Sequence, residues 1–121
     1  MKEISLYIRP EDFSKVVGIL RKNNVGGITF FETNGSGRKK HEPVPERVRA
    51  YMTGKMITPE FVKGTKVEVI VPDSLADQIV EDILDNLSPA TEAHGMIFVK
   101  DVSGAYEIGT KLKGESVLTP K

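Results

Sequence analysis

The sequence contains no cysteine. It can therefore form neither disulfides nor thiolate metal sites, and its cysteine usage carries no redox-compartment signal. Histidine is nearly as scarce: His41 and His94 stand far apart, and neither has metal-ligand spacing around it. No apolar run approaches the roughly 18 residues of a membrane-spanning helix. Met1-Lys2-Glu3 leads straight into an alternating pattern, without the apolar stretch and small-residue cleavage site of a signal peptide. The cytoplasm is the expected location. Net charge of one sign is missing too, since 17 basic residues balance 17 acidic ones. That balance argues against a general nucleic-acid binder. A chain of 121 residues fits a single domain, expected to span 1–121.

The charge that is present is unevenly placed. Residues 38–66 hold eight basic side chains (Arg38, Lys39, Lys40, Arg47, Arg49, Lys55, Lys63, Lys66) and three acidic ones. A basic segment on an acidic body suits an anionic ligand or partner at that segment.

Hydrophobic periodicity supplies the architecture. Residues 3–9 alternate, with Ile4, Leu6 and Ile8 on one face, as a half-buried strand does. Pro10 suits a first helical turn, with Glu11 and Asp12 at its positive end. Phe13, Val16, Val17 and Leu20 form one helical stripe, ended by Asn23-Asn24 and Gly26-Gly27. Ile28-Thr29-Phe30-Phe31 predicts a second strand, stopped by Gly35-Ser36-Gly37. Residues 38–63 show no sustained period and contain Pro43, Pro45, Gly54 and Pro59. An insertion of that length inside a compact domain is usually functional. Lys66–Val71 predicts a third strand, and Pro72-Asp73-Ser74 the cap of a second helix. That helix carries the stripe Leu75, Ile79, Val80, Ile83, Leu84 and Leu87. Met96–Val99 predicts a fourth strand, followed by a tail, 103–121, of weak period.

The pattern βαβ-βαβ predicts an α+β fold: a ferredoxin-like βαββαβ sandwich with a long loop between strands 2 and 3. Both helices would cover one sheet face. Tyr7, Phe31, Ile70 and Phe98 are the candidates for the bare face, and such a face is an assembly surface. An oligomer is therefore expected.

No catalytic constellation is legible. Ser36 and His41 have no triad spacing, and Glu81-Asp82 sits on the polar face of a helix. The segment with chemistry is Gly35-Ser36-Gly37-Arg38-Lys39. Its glycines let backbone N–H groups approach an anion, and Arg38 and Lys39 add charged donors.

Met1–Arg38 resembles, without a gap, the PII nitrogen-regulatory signal-transduction family, through Pro10, Gly27-x-Thr29, Glu32 and Gly35-x-Gly37-Arg38. Lys66-Val67-Glu68-Val69-Ile70-Val71-Pro72-Asp73 is similar to its third strand, and Gly95-x-Ile97-Phe98-Val99 to the start of its fourth. The resemblance implies a homotrimeric regulator, not an enzyme, that binds an adenine nucleotide (ADP, ATP or AMP) in clefts between subunits. Magnesium and 2-oxoglutarate accompany the nucleotide in many members, and no permanently bound cofactor or metal is implied. The long segment corresponds to the T-loop, which docks on a protein target, a transporter or enzyme of nitrogen or carbon metabolism. Thr29, Gly35, Ser36, Gly37, Arg38, Lys39, Glu68 and Gly95 are the implied ligand-binding residues. Arg47, Arg49, Tyr51 and Lys55 are implied for the partner-binding loop.

The sequence departs from the family pattern at Met96, where the family has a phosphate-binding lysine, and at Glu107 and Gly109, where it has arginines. Ala93 replaces a glycine, Lys39 a glutamine and Gly64 a lysine, with Lys63 adjacent. The tyrosine modified in some members falls near Ile57. Losing three cationic donors weakens the hold on a triphosphate. The alternative implied is a PII-like trimer that has lost conventional ATP sensing and binds another anion or only a protein partner.

Overall fold

The computed structural model describes residues 1–35, 62–87 and 95–120. The alternation near the N-terminus becomes strand β1, Lys2–Ile8. A 3-10 turn over Pro10–Asp12 follows, where proline's fixed φ fits and no N–H is wasted. Arg9 closes this turn by donating from Nε to Asp12 Oδ2 at 3.0 Å. Helix α1, Phe13–Lys22, buries Val16 and Leu20. Asn23 ends it and donates its side-chain amide to the Ile19 carbonyl at 2.9 Å and to Asp82 Oδ2 at 3.0 Å. The second bond ties α1 to the next helix.

Strand β2 is Thr29–Gly35 and strand β3 is Val62–Val71. Helix α2 is Asp73–Asn86 and strand β4 is Met96–Asp101. The sheet has four strands in the order β2-β3-β1-β4, and each neighbouring pair is antiparallel. Ile4, Leu6, Ile8, Val67, Val69 and Val71 face Val16, Leu20, Ala76, Ile79 and Ile83 in one buried cluster. Both helices thus cover a single face, and the fold is the ferredoxin-like sandwich. Each fully buried aliphatic side chain there contributes roughly 1.5–3 kcal/mol of transfer free energy.

Four details differ from the sequence reading. Strand β3 starts at Val62, ahead of Lys66, because β2 runs to Gly35 and pairs with it throughout. Beyond Ile8, where β1 stops, β2 and β3 continue as a two-stranded ribbon (Thr33–Gly35 against Val62–Gly64). The start of α2 carries no side-chain capping bond; Asp73 pairs instead with the Met1 amino group at 2.9 Å. Leu84 is exposed, because it lies a step of about 100° around the helix from buried Ile83. Ala76 takes a core position that the stripe omitted.

The tail folds back on itself. Tyr106 bridges Lys113, Glu107 N–H donates to the Leu112 carbonyl at 2.8 Å, and Gly114 N–H donates to the Ala105 carbonyl at 2.9 Å. A 3-10 turn, Glu115–Leu118, then reaches Gly26. A Cβ on Gly26 would lie 2.4 Å from the Leu118 carbonyl oxygen, a distance that a real contact does not reach. Gly26→Ala should therefore lift the tail from the body. Hydrogen exchange at Val117 is expected to rise in that variant while exchange in β1 stays unchanged. Equal exchange at Val117 would show that the tail tolerates the methyl.

Candidate functional site

The register of the sheet assembles a cross-strand array on the face the helices leave bare. One row reads Thr29, Glu68, Ser5 and Phe98 across β2, β3, β1 and β4. The next reads Phe31, Lys66, Tyr7 and Met96. Tyr7 and Phe98 meet edge to face, with ring centroids 5.8 Å apart. They remain 39% and 45% exposed, as do Phe31 and Met96 at similar levels, so the chain alone leaves a large apolar surface open. Ile70 lies on the same face, opposite Glu3. The four residues expected there from sequence are all placed there.

Two charged side chains stand among these rings. Lys66 Nζ lies 2.7 Å from Glu68 Oε1, with both side chains mostly buried. The ammonium also sits 5.4 Å from the Tyr7 ring centroid and 6.0 Å from that of Phe31. The hydrogen bond to Glu68, and after it that to Tyr7, push the Lys66 pKa above the ordinary lysine value, so the group is cationic at neutral pH. Ser5 is 3% exposed beside Glu68.

Of the ligand-binding residues expected from sequence, Thr29 and Glu68 are brought together as direct cross-strand partners. Gly35 is at the far end of β2, opposite Val62, about 20 Å along the strand from Thr29. Gly95 precedes β4 on the opposite edge of the sheet, some three strand spacings, or about 14 Å, across it from β2 and about 10 Å along it from the Thr29 row. Its φ of +76° and its closeness to the Tyr7 carbonyl oxygen both require glycine. One chain therefore does not close these residues around a single point. Ser36, Gly37, Arg38 and Lys39, with Arg47, Arg49, Tyr51 and Lys55 of the loop, lie outside the described residues.

Sequence reasoning passed over Lys66 and Ser5 as site residues. The strand alternation that put Ile70 on the bare face puts Glu68 and Lys66 there as well, so the signal was present. It also missed the hairpin that carries Tyr106, Ile108 and Leu112 outward; Ile108 is 94% exposed. At the two family-arginine positions, Glu107 Oε1 accepts the Thr110 hydroxyl at 2.7 Å, and Gly109 offers no side chain. Met96, which stands where the family pattern has a lysine, is the cross-strand partner of Tyr7.

Among the described residues, no cluster of three or more His, Cys, Asp or Glu side chains could hold a metal, and no helix is long and apolar enough to cross a membrane. The described residues define the class of fold: a ferredoxin-like α+β sandwich with a bare aromatic face and polar residues divided between its two sheet edges. The comparison with known proteins makes the class specific. The family "Nitrogen regulatory protein P-II" matches residues 1–111. The nitrogen regulatory protein P-II of Haemophilus influenzae is 32% identical over 118 residues, covering 98% of this chain and 100% of the relative. Nitrogen regulatory protein P-II 1 of Escherichia coli K12 is 31% identical over 110 residues, 91% of this chain and 93% of the relative. The P-II protein of Porphyra purpurea matches at 31% with the same coverage. The chain belongs to the P-II family of signal-transduction regulators.

Proposed function

We propose that the protein is a cytoplasmic, homotrimeric P-II regulator that senses an adenine nucleotide in clefts between its subunits. Through the loop between β2 and β3, which ends before Val62 rather than at residue 63, it controls a transporter or enzyme of nitrogen or carbon metabolism, and it catalyses no reaction itself. One observation carries this reading: the expected ligand residues sit on opposite edges of the sheet, Thr29 at one and Gly95 at the other. A second copy that sets its Gly95 edge against the Thr29–Glu68 edge of the first completes the set. The exposed rings of Tyr7, Phe31 and Phe98 supply apolar area for such an assembly.

The loop is the output. It hangs from the β2–β3 ribbon, which begins within the ligand-binding strands. A ligand shifts the loop by as much as its affinities for the two loop states differ. The basic stretch suits a target or effector of negative charge.

Met96, Glu107 and Gly109 favour a second reading at the phosphate end. With three cationic donors gone, a ligand with fewer phosphates, such as ADP or AMP, competes better than in the usual family site. Magnesium and 2-oxoglutarate belong to the reading only if a triphosphate is held. In its extreme form, this second reading is a trimer that binds another anion or a protein partner alone.

Calorimetric titration with ADP, ATP and AMP, with and without magnesium and 2-oxoglutarate, tests the proposal. Micromolar binding of at least one nucleotide is expected, falling about 10- to 100-fold in Arg38→Ala, the loss of one charge-assisted hydrogen bond. Sedimentation should give three times the 13.4 kDa chain mass. A 13 kDa species alone removes the inter-subunit cleft, and no nucleotide binding leaves the second reading.

A further inference from the structure

We propose that Lys66 is the positioning residue of this site. It fixes the Glu68 carboxylate beside Thr29, so that the carboxylate is held ready to accept from a hydroxyl or amino group of the ligand. The inference deepens the reading above and rests on it.

Among the described residues, the geometry of β3 leaves Lys66 a single carboxylate partner, with the Tyr7 hydroxyl as its second acceptor. Side chains two residues apart on a strand share a face. Along β3 on the bare face, Lys66 has Glu68 in one direction and Gly64, without a side chain, in the other. Sideways it is hemmed in by Tyr7 of β1 and Phe31 of β2, its direct cross-strand partners, with both rings within 6.0 Å of Nζ. A lysine stem is flexible and costly to order. Here the rings on both sides and the missing side chain behind leave the ammonium aimed at Glu68, 2.7 Å away. Cation–π attraction to the two rings favours the same placement.

Glu68 gains its orientation from that contact. An ionised carboxylate accepts hydrogen bonds only, at about four lone-pair positions, and the ammonium fills one. The remaining positions lie in a row with two hydroxyl residues, Thr29 on one flank and Ser5 on the other. Ser5 is almost fully buried, and among the described residues its hydroxyl has no side-chain hydrogen bond. A fixed acceptor next to an exposed threonine hydroxyl suits a neutral, donor-bearing part of a ligand.

Titration of the same nucleotides into the unaltered protein, Lys66→Met, Lys66→Arg, Glu68→Gln and the double variant Lys66→Met/Glu68→Gln tests this. Sedimentation and far-UV circular dichroism check that each is assembled and folded; Lys66→Gln replaces Lys66→Met if the latter is not. Lys66→Met is expected to weaken binding about tenfold or more, with Lys66→Arg within about threefold of the unaltered protein. In the Glu68→Gln background, Lys66→Met should add less than about twofold, because Lys66 acts through the carboxylate. Equal affinity in Lys66→Met, or the same fold-loss with and without Glu68, overturns the inference and leaves nucleotide sensing standing. Absence of binding by the unaltered protein overturns both.

Discussion

Ile79→Ala is expected to lower the melting temperature by about 10 °C or more at fixed protein concentration. Ile79 is 0% exposed and sits among the strand residues that both helices cover. Its truncation loses the transfer free energy of the deleted methyl and methylene groups. It also leaves a void that a close-packed core fills only in part. The cost is roughly 2–5 kcal/mol, against a total stability of about 5–15 kcal/mol for a domain. Leu84→Ala, on the same helix, is the internal control. Leu84 is 65% exposed, so thermal denaturation should barely move. The sequence alone ranks these two leucine-like positions together, since both fall in the expected stripe. Equal losses in the two variants would mean that α2 is rotated relative to the sheet, or that Leu84 is covered by another subunit. Sedimentation of the Leu84 variant separates those two outcomes.

What the sequence made legible was whatever periodicity controls. The alternation of Ile4, Leu6 and Ile8 and of Val67, Val69 and Val71 places one side of two central strands in the core. The same parity placed Tyr7, Phe31, Ile70 and Phe98 on the opposite face. Strand ends were less legible. Thr33, Asn34 and Gly35 are weak strand formers, yet they are held in β2 by backbone pairing to Val62–Gly64. Pairing partners far apart in sequence leave no local mark. The tail was unreadable for the same reason: the hairpin closed by Tyr106 and Lys113 and the contact between Leu118 and Gly26 depend on main-chain atoms, not on an apolar period.

The candidate site was legible in pieces. Thr29 and Glu68 were picked out separately, but only the register shows that they are opposite each other. Lys66 looked like one more cation of a basic segment. Its meaning comes from Tyr7 and Phe31 beside it, which sit on strands far away in sequence. The placement of Gly95 on the far edge follows from the strand order, which puts β4 next to β1 and three strand spacings from β2. That separation turns a set of residues on one chain into an argument for two chains at one site.

Gly95→Ala brings the fold and the site into one experiment. At a φ of +76°, an alanine Cβ meets its own backbone, at a cost of about 1–2 kcal/mol. The same Cβ would also lie 2.8 Å from the Tyr7 carbonyl oxygen, which β1 holds in place, so the start of β4 must shift. Together these effects should cost about 2 kcal/mol or more and lower the melting temperature by roughly 6–10 °C. Gly109→Ala is the comparison, because nothing lies within 4 Å of a Cβ there and its φ is not positive. Its melting temperature should match that of the unaltered protein. If the Gly95 backbone also forms part of the nucleotide cleft, Gly95→Ala loses nucleotide affinity at temperatures where it remains fully folded. Retained affinity with lowered stability would confine Gly95 to the turn that starts β4. Unchanged stability would mean that the left-handed conformation at Gly95 is not the one the protein adopts in solution.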